Sequence, residues 1–257
     1  GSTQGTGWLG ELLGDDDWID PELIQSCVQF LEENPDHIAA AGRTFYYREN
    51  GDKFEGVHFS IQSNDPGVRV IDAITQVVDG GAFYALYRAS PANEIPYFKA
   101  WGCDYYFLCE AAYYGKMAML PNVACHRIDN SHKQSISARL RSGGFDDRKG
   151  RDPYGTIASI LFWRIAANGV VFNKLKKCER LQLAAQTVEI VNQRWTITGK
   201  ADLLKIATEL FDDLDLLLEY KSLRARIITE WLVASKRPSD SKWNQAASIL
   251  DVFIKFM

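Results

Sequence analysis

The sequence predicts an α/β protein in which a layer of strands and helices is followed by a helical C-terminal subdomain. From Trp8 to about Ser135, segments with strand character alternate with segments of helical periodicity, an order typical of an α/β layer. From about residue 154 onward, apolar residues recur at three- and four-residue spacings, which indicates helices alone. At 257 residues, 46% of them hydrophobic, the chain can bury a substantial core as one large domain or two small ones.

Apolar periodicity and turn signals define the elements of the first half. The predicted helices span 21–34, 68–78 and 101–114, and the predicted strands span 38–47, 56–61, 82–88, 117–120 and 123–126. Asn34-Pro35 ends the first helix, and Asn50-Gly51-Asp52 predicts a hairpin turn. The glycines of Asp79-Gly80-Gly81 end the second helix.

The second half is expected to be a helical subdomain behind a surface linker. The linker is predicted at 139–153, which is rich in Arg, Gly and Asp, and the helices are predicted at 157–167, 175–191, 200–218, 223–234 and 242–256. The expected organisation is a tag or linker over 1–7, an α/β region over 8–138, the linker, and a helical subdomain over 154–257.

Composition excludes several classes of protein. A net charge of −4 argues against a protein that grips a nucleic-acid backbone, because such a protein carries a broad basic face. The five cysteines show no CxxC pair and no zinc-ligand spacing, so we expect reduced thiols in a cytoplasmic protein. No apolar stretch approaches the roughly 20 residues that span a bilayer, and no signal peptide is recognisable.

The acidic triplet Asp15, Asp16 and Asp17 is the most informative motif. It follows an apolar run and precedes the predicted helix start at Pro21, and so much like charge near a buried strand is unfavourable without a cation. Mg²⁺ or Mn²⁺ would offset the repulsion, since both prefer oxygen ligands and often bridge carboxylates to phosphates. The alternative is a helix-entry loop in which Asp20 caps the helix and the other acids favour its positive end.

Three blocks of the first half, taken together, resemble family 2 glycosyltransferases of the GT-A fold. The first block, residues 12–21, is similar to the acidic DxD segment of that family. The second, residues 102–123, is similar to its Gly-Glu-Asp helix and Gly-Lys turn, here Gly102-Cys103-Asp104 and Gly115-Lys116. The third, residues 126–131 with His126 and Arg127 at its start, is similar to its His-Arg segment. The ordered set covers about half the chain and implies a GT-A-like α/β layer.

The resemblance implies an inverting transfer of a sugar from a nucleotide-diphosphate donor to a hydroxyl of a glycan or another acceptor. Mn²⁺ or Mg²⁺ held by Asp15 and Asp17 would stabilise the leaving diphosphate, and Asp16 could replace either acid or contact the donor. Asp104 is the candidate base that takes the proton of the acceptor hydroxyl; its structural alternative is an acid at a helix N-terminus. His126 is a candidate further metal ligand, although a lone histidine is more often structural.

The remaining candidate residues would contact the two substrates. Arg127 and His132 suit the donor diphosphate, with a solvated basic surface as the alternative. On the acceptor side the candidates are Gly80, Gly81, Trp101 and Cys103. Trp101 is equally well explained as a buried aromatic residue, and Cys103 stands where the family usually has Glu, which weakens the acidic pair.

The chain also departs from the family at its front. Members of the family precede the acidic segment with the half of the sheet that binds the nucleotide, whereas fourteen residues precede Asp15 here. We therefore expect an incomplete GT-A-like layer that binds donor weakly and whose unpaired strand edge favours self-association or a protein partner.

Other classes of function stay open from the sequence alone. One is a non-catalytic glycan-binding or scaffold module, and another is a metal-dependent phosphoryl or nucleotidyl transferase. The expected location is the cytoplasm, with peripheral association at the inner face of the membrane as a further option.

Overall fold

The computed structural model of the chain describes residues 8–9, 17–96, 102–129, 138, 153–166, 170–194, 239–242 and 244. The chain divides into two compact units, one made of 1–98 with 103–134 and the other of 99–102 with 135–257. The first unit is mixed α/β, as the sequence predicts, and it contains every candidate site residue that the structure describes.

The helices and strands of the first unit alternate along the chain. The helices are α1 Leu23–Glu33, α2 Pro66–Gln76, α3 Ala89–Asn93 and α4 Cys103–Tyr114, with a 3-10 helix at Gly81–Tyr84. The strands are β1 Trp8–Leu9, β2 Trp18–Ile19, β3 His37–Tyr47, β4 Lys53–Glu55, β5 Ser60–Ile61, β6 Leu86–Arg88 and β7 Lys116–Ile128.

The strands of the described residues form one mixed sheet with the order β1-β6-β3-β7-β2. Its centre is the long parallel pair β3 and β7, and the other pairs are antiparallel. β4 extends the sheet beside the end of β3, as the hairpin signal at residues 50–52 predicts, and β5 pairs with the beginning of β7. The parallel centre places the ends of β3 and β7 side by side.

A bulge in β7 sets the register of that parallel pair. Gly42 faces Leu120 whereas Arg43 faces Ala124, so three residues beginning at Pro121 are looped out of β7. Pro121 suits a bulge because it has no N–H to give to the ladder. The prediction of two separate strands at 117–120 and 123–126 is therefore wrong, and one bulged strand takes their place.

α1 packs on the sheet as its periodicity predicts. Its buried residues belong to an apolar cluster that consists of Leu23, Cys27, Leu31, Ala40, Leu86, Val123 and Cys125. The cluster joins the helix to β3, β6 and β7, so burial of apolar area holds α1 against the middle of the sheet.

α2 packs against α4 and begins at a well-formed cap. The carboxylate of Asp65 accepts hydrogen bonds from the backbone N–H groups of Gly67 and Val68 at 2.7 and 3.1 Å. Pro66 follows at the first position of the helix, where a missing N–H costs little. The predicted helix at 68–78 is thus confirmed, with both ends shifted by two residues toward the N-terminus.

The buried Arg69 ties the start of α2 to the end of α4. Its guanidinium donates to the carbonyls of Ala112 at 2.7 Å, Tyr113 at 2.8 Å, Ser63 at 3.0 Å and Asn64 at 3.2 Å. The last carbonyls of a helix have no partner within the helix and carry partial negative charge, so a cation placed there satisfies both needs.

Three local predictions are corrected. The segment 82–88 is not one strand, because Gly81–Tyr84 forms a 3-10 helix and only Leu86–Arg88 pairs with β3. The segment 56–61 gives only the short β5, and Trp18–Ile19 is a strand paired with β7 rather than the approach to a helix at Pro21. Apolar content alone therefore did not predict the backbone conformation of these segments.

The described part of the second unit is helical. It contains α5 Pro153–Ala166, a 3-10 helix at Val171–Lys174 and α6 Lys177–Arg194, and α5 packs against α6. The predicted helices at 157–167 and 175–191 are confirmed. Those at 200–218, 223–234 and most of 242–256 lie outside the described residues. Within the described ranges, no helix combines the length and the apolar character needed to cross a membrane.

Candidate functional site

The candidate site lies where the acidic segment, the glycine turn at 79–81, the start of α4 and the end of β7 come together. Of the three acids, Asp15 and Asp16 lie outside the described residues, as do Trp101 and His132. Asp17 is described and is nearly buried, with 4% of its side chain exposed. Its carboxylate accepts hydrogen bonds from Nε of Arg127 at 3.2 Å and from the backbone N–H of Ile128 at 3.3 Å.

Arg127 connects the acidic segment to the middle of the site. Its Nη2 donates to the hydroxyl of Tyr84 at 2.6 Å, and its Cζ lies 3.8 Å from the centroid of the Tyr84 ring and 5.6 Å from that of Tyr46. Arg127 also interacts with the Tyr46 hydroxyl, through its charge and through a side-chain hydrogen bond. The Arg127 side chain is 20% exposed, so the guanidinium is accessible to an anion.

Tyr46 and Tyr84, which surround Arg127, are neutral, and each presents the face of its ring to the guanidinium. Burial raises the pKa of Tyr84 and of Tyr46, and the positive charge of Arg127 only partly offsets it. The Tyr46 hydroxyl donates to the carbonyl of Asp79 at 3.3 Å, which attaches β3 to the glycine turn. These rings exclude water from one side of the cation and strengthen its interaction with a charged neighbour.

Asp104 lies in the first turn of α4, as the sequence predicts. Burial raises the pKa of its carboxyl above the ordinary aspartate value, while backbone hydrogen bonds and the charge of Arg127 act in the opposite direction. A partly desolvated carboxyl near a cation is a competent proton acceptor, because its proton affinity is raised while its ionised form keeps a stabilising partner.

The glycine turn packs directly against this carboxyl. Gly80 has φ of +72°, a conformation that residues with a side chain rarely adopt, and a Cβ atom there would stand 2.9 Å from Oδ2 of Asp104. Gly81 is held close to Thr44 of β3 in the same way, where a Cβ would stand 2.9 Å from Oγ1. Cys103 precedes Asp104, and burial raises the pKa of its thiol. Of the candidate acceptor residues, Gly80 and Cys103 thus lie beside the candidate base, and Gly81 packs against Thr44.

His126 lies on the other face of the sheet from Arg127, because successive residues of a strand point to opposite faces. Its Nε2 is 3.0 Å from Oδ1 of Asp20 and its Nδ1 is 3.0 Å from the hydroxyl of Tyr47. The ring stacks between Trp18 and Phe45 at centroid distances of 5.1 and 5.8 Å. A metal at His126 would have to displace one of these hydrogen bonds, and the proposed ligand role stays a prediction.

Asp20 does not cap α1. The alternative interpretation of the acidic segment, a helix-entry loop in which Asp20 is the cap, is therefore wrong at this residue. Its carboxylate accepts from the backbone N–H of Ala124 at 2.7 Å and interacts with His126, whereas the residue at the N-cap is Glu22, without a capping side chain. The hydrogen bond to His126 lowers the pKa of Asp20. The carboxylate therefore joins β2 to β7 rather than starting the helix.

Sequence reasoning missed two residues of the site. Tyr84 carries no sequence signal, because an aromatic residue in an apolar run reads as core. Asp79 carries a weak signal, since an acid before Gly-Gly is a common turn residue.

Among the described residues no three His, Cys, Asp or Glu side chains are grouped so that they could hold a metal ion. Two of the predicted metal-site acids, Asp15 and Asp16, lie outside that set.

Neither a comparison with protein-family models nor comparisons with curated proteins and with solved structures gave a match for the chain.

Proposed function

We propose that the first unit carries the site of a metal-dependent inverting glycosyltransferase, which moves a sugar from a nucleotide-diphosphate donor to a hydroxyl of a glycan or another acceptor. The observation that carries the proposal is the position of Arg127, which is bonded to Asp17 and close enough to Asp104 to influence its pKa. Each of the three blocks of the resemblance contributes one of these residues. We assign the reaction to the cytoplasm, at or near the inner face of the membrane.

The donor half of the proposed site consists of the acidic segment and Arg127. The departing nucleoside diphosphate gains negative charge, and a preorganised cation with low exposure stabilises that charge more than water does. Arg127 has this character, because Asp17 and Tyr84 hold its guanidinium in place while 20% of its side chain is exposed. Asp15, with Asp17 or Asp16, would hold Mn²⁺ or Mg²⁺, which supplies further neutralisation of the diphosphate when bound.

The acceptor half consists of Asp104 and the glycine turn. The acceptor hydroxyl loses its proton as it attacks, and Asp104 takes that proton, helped by the burial that raises its pKa. Gly80 and Gly81 are buried, and a Cβ at Gly80 would stand 2.9 Å from Oδ2 of Asp104, so the absence of a side chain lets the turn pack against the candidate base. Cys103 contributes a neutral thiol where an acid would add a second negative charge.

Calorimetric titration of the full chain with UDP- and GDP-sugars, in Mn²⁺ and in chelator, tests this proposal. We expect weak binding that requires the metal and that Arg127→Gln weakens at least about tenfold, since a charge-assisted hydrogen bond to phosphate is lost. Arg48→Gln is the matched control, because Arg48 pairs with Asp129 on the exposed end of the sheet. Equal binding by both variants, or binding that ignores metal, would argue against the proposal.

Turnover tests the role of Asp104 separately. In any preparation that transfers sugar, Asp104→Asn should lower kcat by about 10²-fold or more and change the donor KM little, because the proton acceptor is lost while the donor contacts stay. Retention of kcat within about threefold would assign the base role to another group.

A non-catalytic glycan-binding module is the second candidate function, and one observation favours it. Trp18 is 44% exposed and lies flat against His126, with Tyr47 at a centroid distance of 5.0 Å, on the face opposite Arg127. A fixed, exposed aromatic ring is a platform for a sugar. Glycan binding that needs neither metal nor nucleotide, and that Trp18→Ala abolishes while Arg127→Gln does not, would favour this candidate.

A further inference from the structure

We propose that Asp79 is a positioning residue of the candidate site, and that its carboxylate holds the glycine turn against the carboxyl of Asp104. The inference deepens the proposed function and rests on it for its catalytic meaning, while its structural claim can be tested without activity. Asp79 precedes the candidate residues Gly80 and Gly81 in the turn and is not itself one of the candidates from the sequence.

The carboxylate of Asp79 joins the glycine turn, at the start of the 3-10 helix, to the loop between β4 and β5. Oδ1 accepts from the backbone N–H of Gly81 at 2.9 Å, and Oδ2 accepts from the backbone N–H of Val57 at 2.9 Å. The first bond closes the turn, and the second attaches it to the loop between β4 and β5. Gly56 lies so close that a Cβ there would stand 2.5 Å from Oδ2, so the loop has room for this carboxylate only because residue 56 is glycine.

The turn is also fixed by two tyrosine hydroxyls. Tyr105, in the first turn of α4, donates to the carbonyl of Val78 at 2.8 Å, and Tyr46 of β3 donates to the carbonyl of Asp79 at 3.3 Å. Gly80 is buried between these attachment points and touches the carboxyl of Asp104. The position of Gly80 relative to Asp104 is therefore determined by bonds that pass through Val78, Asp79 and Gly81.

The groups around Asp104 explain why this position matters. Arg127, Tyr84 and Cys103 interact electrostatically with the Asp104 carboxyl, and Gly80 covers it on one side without contributing a charge. A turn released by loss of Asp79 would admit water to that side. Asp104 would then ionise more readily and become a weaker proton acceptor.

The experiment is a carbon-detected NMR titration of the Asp104 carboxyl in the full chain, with the signal assigned by its absence in Asp104→Asn. In Asp79→Ala we expect the Asp104 midpoint to fall toward the ordinary aspartate value of about 3.9. Asp65→Ala is the matched control, because Asp65 also accepts two backbone N–H groups but at the start of α2, beside the far end of α4. An unchanged midpoint in Asp79→Ala, or an equal fall in Asp65→Ala, would overturn the proposal.

Two further variants separate position from charge. Asp79→Asn removes the charge but keeps one carbonyl acceptor, so its effect should be smaller than that of Asp79→Ala; an equal effect would mean that charge alone acts. Gly80→Ala should shift the Asp104 midpoint without changing any charge, whereas Gly51→Ala, at φ of +89° with nothing within 4 Å, should impose similar backbone strain and no shift. Gly80→Ala also serves where Asp79→Ala fails to fold.

Two separate measurements distinguish failure of one proposal from failure of the other: nucleotide-sugar binding by the wild-type chain and the Asp104 midpoint in the variants. Absence of metal-dependent nucleotide-sugar binding in the wild-type chain counts against the glycosyltransferase alone. An unmoved Asp104 midpoint in Asp79→Ala and Gly80→Ala counts against the positioning role alone.

Discussion

Each end of α4 lies near an arginine, and the two arginines have different kinds of partner. At the C-terminal end, Arg69 donates to four backbone carbonyls. Near the N-terminal end, Arg127 contacts a carboxylate, a hydroxyl and two ring faces, and it influences the pKa of Asp104. A cation whose partners are all backbone carbonyls has a structural role, whereas one held among titratable side chains has the properties of a binding site.

Removing Arg69 should give the largest loss of stability in the first unit. Arg69→Met keeps much of the apolar volume but leaves buried carbonyls without donors, and each costs about 1–3 kcal/mol. We expect the free energy of unfolding to fall by about 3 kcal/mol or more in urea denaturation. Arg43→Met, in an ion pair whose two side chains are both about one-third exposed, should change it little. Equal losses in the two variants would contradict the structural role of Arg69.

Substitutions in the Asp17–Arg127 pair should lower the free energy of unfolding by less than the loss of Arg69 does. The interaction between the two side chains should be measurable as a coupling energy. Asp17→Asn and Arg127→Gln each leave one polar partner in a largely buried place, so the double variant should be less damaging than the sum of the single ones. A double-mutant cycle in urea should return a coupling energy of about 1–2 kcal/mol. Strict additivity would mean that the two side chains do not form a pair in solution.

Asp104→Asn should stabilise the chain at neutral pH. Since the same substitution is expected to lower kcat, function and stability would change in opposite directions at this end of α4. Burial holds the pKa of Asp104 in the folded state above its value in the unfolded state. At a pH between these two values the folded state binds more protons than the unfolded state, so the free energy of unfolding falls as pH rises through this range. The variant removes this penalty, with a gain within the ~0.5–2 kcal/mol of typical stabilising changes. Melting curves between pH 3 and 8 should diverge as pH rises, and Asp52→Asn, at an exposed turn, should show no such divergence.

Apolar pattern predicted α1, α2, β3 and α4 within about two residues, because each carries buried residues along most of its length. The same apolar signal failed at Gly81–Tyr84, since a 3-10 helix buries side chains as well as a strand does. Asp17, Asp104 and Arg127 were predictable as chemistry-bearing types near element ends. The roles of Asp20 and Asp79 were not, because each depends on backbone N–H groups that are distant in sequence and that only the folded chain brings near.

The smallest effect is expected at the pair formed by Arg43 and Glu55, which tests whether geometry or burial decides the strength of an ion pair. Glu55 accepts from Nε and Nη2 of Arg43 at 2.6 and 2.7 Å, shorter than the 3.2 Å contact from Arg127 to Asp17, yet both side chains are about one-third exposed. The hydrogen bond from Arg43 lowers the pKa of Glu55 to about 2, so its stabilisation is present above the ordinary glutamate pKa and is lost as pH falls toward 2. Because solvent and salt screen an exposed pair, Glu55→Gln at pH 7 should shift the urea midpoint less than any change above, and about 1 M NaCl should abolish the shift. A Glu55→Gln effect as large as that of Asp17→Asn, and insensitive to salt, would show that hydrogen-bond geometry outweighs burial in this sheet.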